Sequence, residues 1–115
     1  MNSRNISLLF FVSLLSISWS QHAFAESRAV NIANITGSMF GKAKYCGQPS
    51  SDLGDFASES ARAIKKYSID KNDESNAVKQ FFLSVTISEN SGPIGESCSQ
   101  FLSGYRRALS DLKKN

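Results

Sequence analysis

Two cysteines, Cys46 and Cys98, are the only thiols in this chain of 115 residues, and they constrain its fold more than any other feature. Two thiols allow a single intramolecular pairing. Each sits on the apolar stripe of a segment with helical spacing, so a bond between them would tie the first such segment to the last. Disulfides persist in oxidising compartments and are rare in the cytosol, so the compartment decides whether the bond forms.

The N-terminus points to export. Arg4 supplies a positive start, Ile6 to Ile17 (ISLLFFVSLLSI) is an apolar run interrupted only by serines, and His22-Ala23-Phe24-Ala25 ends in a small-x-small pattern. That order is the signature of a secretory signal peptide, with cleavage expected after Ala25. The apolar run falls short of the roughly 20 residues of a spanning helix. No other stretch is long and apolar enough to span, so no stable membrane insertion is expected after cleavage.

Cleavage leaves residues 26–115 as one domain of 90 residues, stapled by a Cys46–Cys98 disulfide and located in the periplasm or outside the cell. It also removes the only His and the only Trp, His22 and Trp19. The mature chain carries 12 basic and 10 acidic side chains, too even a balance to point to nucleic acid.

Apolar periodicity divides the mature chain into four segments. In the first, Ile32, Ile35, Met39, Ala43 and Cys46 step by 3, 4, 4 and 3, one face of a helix. Ser27 is placed to cap its start, Gly47 to end it, and Pro49 to stop continuation. The second begins at Ser50–Asp52 and carries Leu53, Phe56, Ala57, Ser60, Ala61, Ile64 and Tyr67 at helical spacing, ending near Ser68 before the polar stretch Asp70-Lys71-Asn72-Asp73. The fourth has the clearest stripe: Ile94, Cys98, Phe101, Leu102, Tyr105, Ala108, Leu109 and Leu112, after a break at Gly92-Pro93.

The third segment carries two signals. Val78, Phe81, Phe82 and Val85 match a helix, whereas Leu83-Ser84-Val85-Thr86-Ile87-Ser88 alternates as a strand does. A strand must find a partner for its backbone groups, and only a weak candidate near Val30–Thr36 exists. A helix over 74–89 is therefore expected, and the chain is all-α. With a strand over 81–88 it would instead be α+β.

Short connections favour antiparallel neighbours, hence an up-down-up-down four-helix bundle. In that topology the end of the first helix and the start of the fourth lie together, which is where Cys46 and Cys98 fall. Gly37 and Gly41, four apart, suit a close helix–helix approach, and Gly104 is expected to serve the same end.

Catalytic constellations are missing from the mature sequence. No His remains as a general base for the serines, no Gly-x-Ser-x-Gly elbow occurs, and neither a CxxC nor a CxxCH motif is present. Two thiols without His fall short of the usual four zinc ligands. Asp52, Asp55 and Glu59 share a helix side, but first-turn carboxylates are better explained by capping and the helix dipole. Asn34-Ile35-Thr36 matches a glycosylation sequon, yet falls inside the first helix. No enzyme activity, cofactor or metal is expected.

Binding is the remaining class. On a helical third segment Leu83 and Ile87 form a second apolar side, beyond the one that holds Phe82. Together with Val30 or Phe40 they define a candidate interaction face, since exposed apolar patches mark contact sites. Lys65, Lys66, Arg106 and Arg107 would form a basic surface if the second and fourth helices adjoin. The expected role is a non-enzymatic interaction protein whose partner is another protein of the periplasm or extracellular space, with a homodimer also compatible.

In mature length, single long-range disulfide and export signal, the chain is similar to small periplasmic acid-stress chaperones. That likeness is architectural and implies a holdase as the alternative function. The Trp of those proteins has no counterpart in the mature chain, so no residue roles carry over. A secreted effector or toxin is the second alternative.

Overall fold

A computed structural model describes residues 27–115; the signal peptide expected over 1–25 lies outside them. Among the described residues there are four helices: α1 (Arg28–Tyr45), α2 (Ser50–Tyr67), α3 (Lys71–Ser91) and α4 (Cys98–Lys114). No strand occurs among the described residues, and 81–88 lies wholly within α3. None of the described helices is long and apolar enough to cross a membrane.

Helix ends follow their side chains. The Ser27 hydroxyl accepts from Val30 N–H at 3.1 Å and opens α1. Gly47 turns the chain beyond it with φ of 82°, a left-handed conformation that costs glycine little. The polar stretch expected to separate α2 from α3 is instead the start of α3. Asp70 accepts from Asp73 N–H at 2.8 Å, and the Asp73 carboxylate accepts from Ile69 N–H at 2.9 Å. Two carboxylates there satisfy otherwise orphaned donors and favour the positive end of the dipole.

Ile94 does not belong to the stripe of α4. It stands in the connecting loop and is 83% exposed. Ser97 starts the helix through a capping box: its hydroxyl accepts from Gln100 N–H at 3.1 Å, and Gln100 Oε1 accepts from Ser97 N–H at 2.9 Å. That reciprocal pair holds the boundary after Ile94.

The direction alternates as an up-down-up-down bundle requires. Cys46 and Cys98 are bonded, with Cα atoms 5.5 Å apart, joining the end of α1 to the start of α4. The closed loop removes about 4 kcal/mol of entropy from the unfolded chain on the loop-length estimate. Around this frame the packing is uneven. α1 lies against all three other helices, and its tightest neighbour is α3, which runs parallel to it; α3 and α4 do not meet.

The parallel register of α1 and α3 is legible in their contacts, which advance together. Asn34 Oδ1 accepts from the Ser84 hydroxyl at 2.7 Å, the Ser88 hydroxyl donates to Ser38 at 3.0 Å, and Lys44 pairs with Glu89 at 2.9 Å. Ala29, Ala33, Gly37 and Gly41 step by four along α1 and are all buried. Gly37 faces the Phe81 carbonyl and Gly41 the Val85 carbonyl so closely that neither position has room for a Cβ. Small residues let the two backbones approach. Gly104 differs from that expectation: a Cβ there would meet nothing within 4 Å, because its side of α4 faces open space.

α2 and α4 are joined by bulk. Phe56 and Tyr105 are fully buried and stack with centroids 4.6 Å apart, beside Phe101. The C-terminal carbonyls of α4 accept from α2: Leu112 O from Arg62 Nη2 at 2.7 Å, and Asn115 O from Lys66 Nζ at 2.9 Å. Every buried side-chain N or O atom among the described residues has a hydrogen-bond partner.

Candidate functional site: an apolar groove and the outer flanks of α3

Burial on α3 selects an unusual set. Ala77, Phe81, Ser84 and Ser88 face inward. With serines filling the narrow space against α1, the larger apolar residues at neighbouring positions are turned out. Phe82 is 63%, Leu83 56% and Ile87 61% exposed.

These residues occupy two flanks of α3. Phe82 lies on the side towards α2, while Leu83 and Ile87 lie on the other, with Lys79 and Thr86 on the ridge between them at helical spacing. On the α2 side a groove of about 190 Å³ opens, lined by Phe40, Ala57, Ala61, Ile64, Val78, Phe81, Phe82 and Val85. All eight side chains are hydrocarbon. Phe40 reaches it from α1 and tilts against Phe81 with centroids 5.8 Å apart; Phe81 meets Phe82 edge to face at 5.7 Å.

Of the candidate interaction residues, the structure therefore brings Phe40 and Phe82 together in the groove. It places Leu83 and Ile87 on a separate flank. The share of the groove supplied by Ala57 and Ala61 was not anticipated as a binding feature. Its sequence signal is the pair of alanines four apart on the α3-facing side of α2. A second groove of about 240 Å³ lies between α1 and α4, lined by Ile32, Ile35, Thr36, Met39, Ala108, Asp111, Leu112 and Asn115.

The four basic residues are exposed but do not form one surface. α2 and α4 adjoin, yet Tyr105 stands beside Asp52 and Phe56. Arg106 and Arg107 consequently lie some nine residues, or about 14 Å, along the axis from Lys65 and Lys66. Lys66 is already engaged with Asn115 O.

The first-turn carboxylates of α2 have structural partners. Asp52 accepts from the Tyr105 hydroxyl at 3.0 Å and from Gln48 Nε2 at 3.2 Å. Asp55 pairs with Lys113 and Glu59 with Arg62, both at 2.8 Å. Burial first, and then the hydrogen bond and charge of Asp52, push the Tyr105 hydroxyl well above its usual pKa, so it stays a donor. Asn34 of the sequon is likewise taken up by Ser84 and Gln80. Comparison with protein families, with characterised proteins and with solved structures finds no match for this chain.

Proposed function

We propose that this chain is a small exported, non-enzymatic interaction protein that engages an apolar segment of another protein in the periplasm or extracellular space. One observation carries the reading: Leu83 and Ile87, four residues apart on one flank of α3, are both more than half exposed on a helix whose backbone is pinned against α1. Large apolar side chains held outward in a cluster contribute little to the core and mark contact sites. The positions of Leu83 and Ile87 support a protein partner, since a convex helix flank presents anchors at i and i+4 spacing.

In-compartment photo-crosslinking from position 86, the exposed ridge position beside Leu83, read by mass spectrometry, tests this. A discrete partner is expected, and its loss in Leu83→Glu with the oxidised helical fold intact. Capture that persists undiminished in Leu83→Glu and Ile87→Glu would refute the reading. The holdase reading draws on the same exposure, because apolar surface is on offer without unfolding. It requires suppression of client aggregation at low pH, followed by light scattering.

A further inference from the structure

We propose that the groove between α2 and α3 is a binding site for the chain of a free, single-chain anionic amphiphile, its head held by Lys65 and Lys79. The site is independent of the protein-partner reading, which rests on the opposite flank of α3.

Shape argues for a hydrocarbon chain. Of the residues that line the groove, Val78 and Val85 are the outermost on α3 and stand seven residues apart, about 10 Å of helix. The groove volume of about 190 Å³ is on the scale of the roughly 150 Å³ apolar cavities that take up a small hydrocarbon. Both walls are helices whose backbone groups are already bonded internally, so an extended peptide would find no sheet edge to pair with. Nothing in the lining rewards a polar ligand body, and burial of alkyl surface supplies the affinity.

Charge sets the orientation. The Ala57–Val85 end lies near the closed Lys44–Glu89 pair and offers no net charge. At the other end Lys65 stands one turn beyond Ala61 and Lys79 next to Val78, both exposed. Neither has a carboxylate partner among the described residues. Glu74, one turn before Val78, and Asp70, which opens α3, are acids near that end, where Lys71 adds a further positive charge. The end is thus net cationic and suits a carboxylate or sulfate head, which stays in water while its chain enters the groove.

Titration calorimetry of the oxidised protein with octanoate, with octyl glucoside and with anionic phospholipid vesicles decides the matter. Octanoate is expected to bind at one site, and the uncharged glucoside several-fold more weakly. Ala61→Trp fills the groove from an exposed position, so the fold tolerates it, and should abolish octanoate binding. Lys65→Glu should weaken it about fivefold, as expected for an exposed ion pair, with the difference shrinking in high salt. Leu83→Glu should leave it unchanged, which separates this site from the protein-binding flank. Octanoate binding that survives Ala61→Trp would overturn the site, and equal affinity for the glucoside would overturn the role of the lysines. Adsorption to vesicles without uptake of free octanoate would make the face a membrane surface instead.

Discussion

The α1–α3 seam and the α2–α4 interface solve the same packing problem with opposite materials. Along the seam, glycines and alanines of α1 meet Ala77, Ser84 and Ser88, and the joining contacts are hydroxyl and amide hydrogen bonds. Across α2–α4, Phe56, Phe101 and Tyr105 fill the space with rings. Small residues bring backbones together but bury little apolar area per residue. Rings bury 150–250 Å² each at ordinary helix separation. The seam consequently fixes the position of α3 with Phe81 as the one large inward side chain, and Phe82, Leu83 and Ile87 are left for binding.

The sharpest way to break the comparison is Phe56→Ala. Truncating a fully buried ring typically costs about 3–5 kcal/mol, a large share of the 5–15 kcal/mol that a domain of this kind commands. Denaturant melts with the disulfide intact should show that loss. Native-state hydrogen exchange should show α2 and α4 opening while α1 and α3 amides keep their protection. Equal loss of protection across all four helices would mean that the two regions unfold as one unit.

The seam is tested by a pair of glycines. A Cβ at Gly37 would run into the Phe81 carbonyl and stand 3.0 Å from Ser84 Cβ, whereas at Gly104 it would meet open space. Gly37→Ala gains about 1 kcal/mol of helix propensity but forces two backbones apart at an overpacking cost of about 1–3 kcal/mol. A net destabilisation of up to about 2 kcal/mol is expected. Gly104→Ala should instead stabilise by about 0.5–1 kcal/mol, since only the entropy of the unfolded chain changes. Thermal melts of the two variants should move in opposite directions.

Much of the frame was legible in the sequence because it rests on local rules. Ser27, Gly47 and Pro49 bounded α1, and the spacing of Cys46 and Cys98 matched the alternating topology. The third helix was harder to read for a physical reason. Ser84 and Ser88 were the polar members of an apparent strand alternation, and polar residues are normally turned out. Here their small volume admits them beside Gly37 and Gly41, and bonds to Asn34 and Ser38 satisfy their hydroxyls. Leu83 and Ile87 are exposed as a result. The limit of α4 was misplaced at Ile94 because apolar spacing outweighed the Ser97–Gln100 capping box. The groove needed tertiary information, since its walls come from α2 and α3 and its floor from Phe40 of α1.

Between the two interfaces in character lies the Tyr105–Asp52 contact, a polar bond made by a ring. Tyr105→Phe keeps the stack on Phe56 but leaves a carboxylate oxygen without its donor. A loss of about 1.5 kcal/mol is expected, the scale for a hydrogen bond to a charged group, as Gln48 and solvent still reach Asp52. Double-mutant analysis with Asp52→Asn should assign most of that loss to the pair.

The smallest expected effect concerns the start of the seam. Hydrogen bonds, first from Ser27 and then from Ile69 N–H, hold the Asp73 carboxyl below its usual pKa. A carboxylate stabilised in the folded state contributes stability that is fully present above the unfolded pKa of about 3.9. That contribution fades as pH falls through the lower folded value. Asp73→Asn keeps an acceptor of similar shape but removes the charge, so it mimics the protonated acid. Asp73 is exposed, so the difference in melting temperature should be small near neutral pH. It should close as the pH falls below about 4 and vanish in strong acid. A gap that persists in acid would show that the geometry of the Asp73 side chain, rather than its charge, holds the Ile69 N–H at the start of α3.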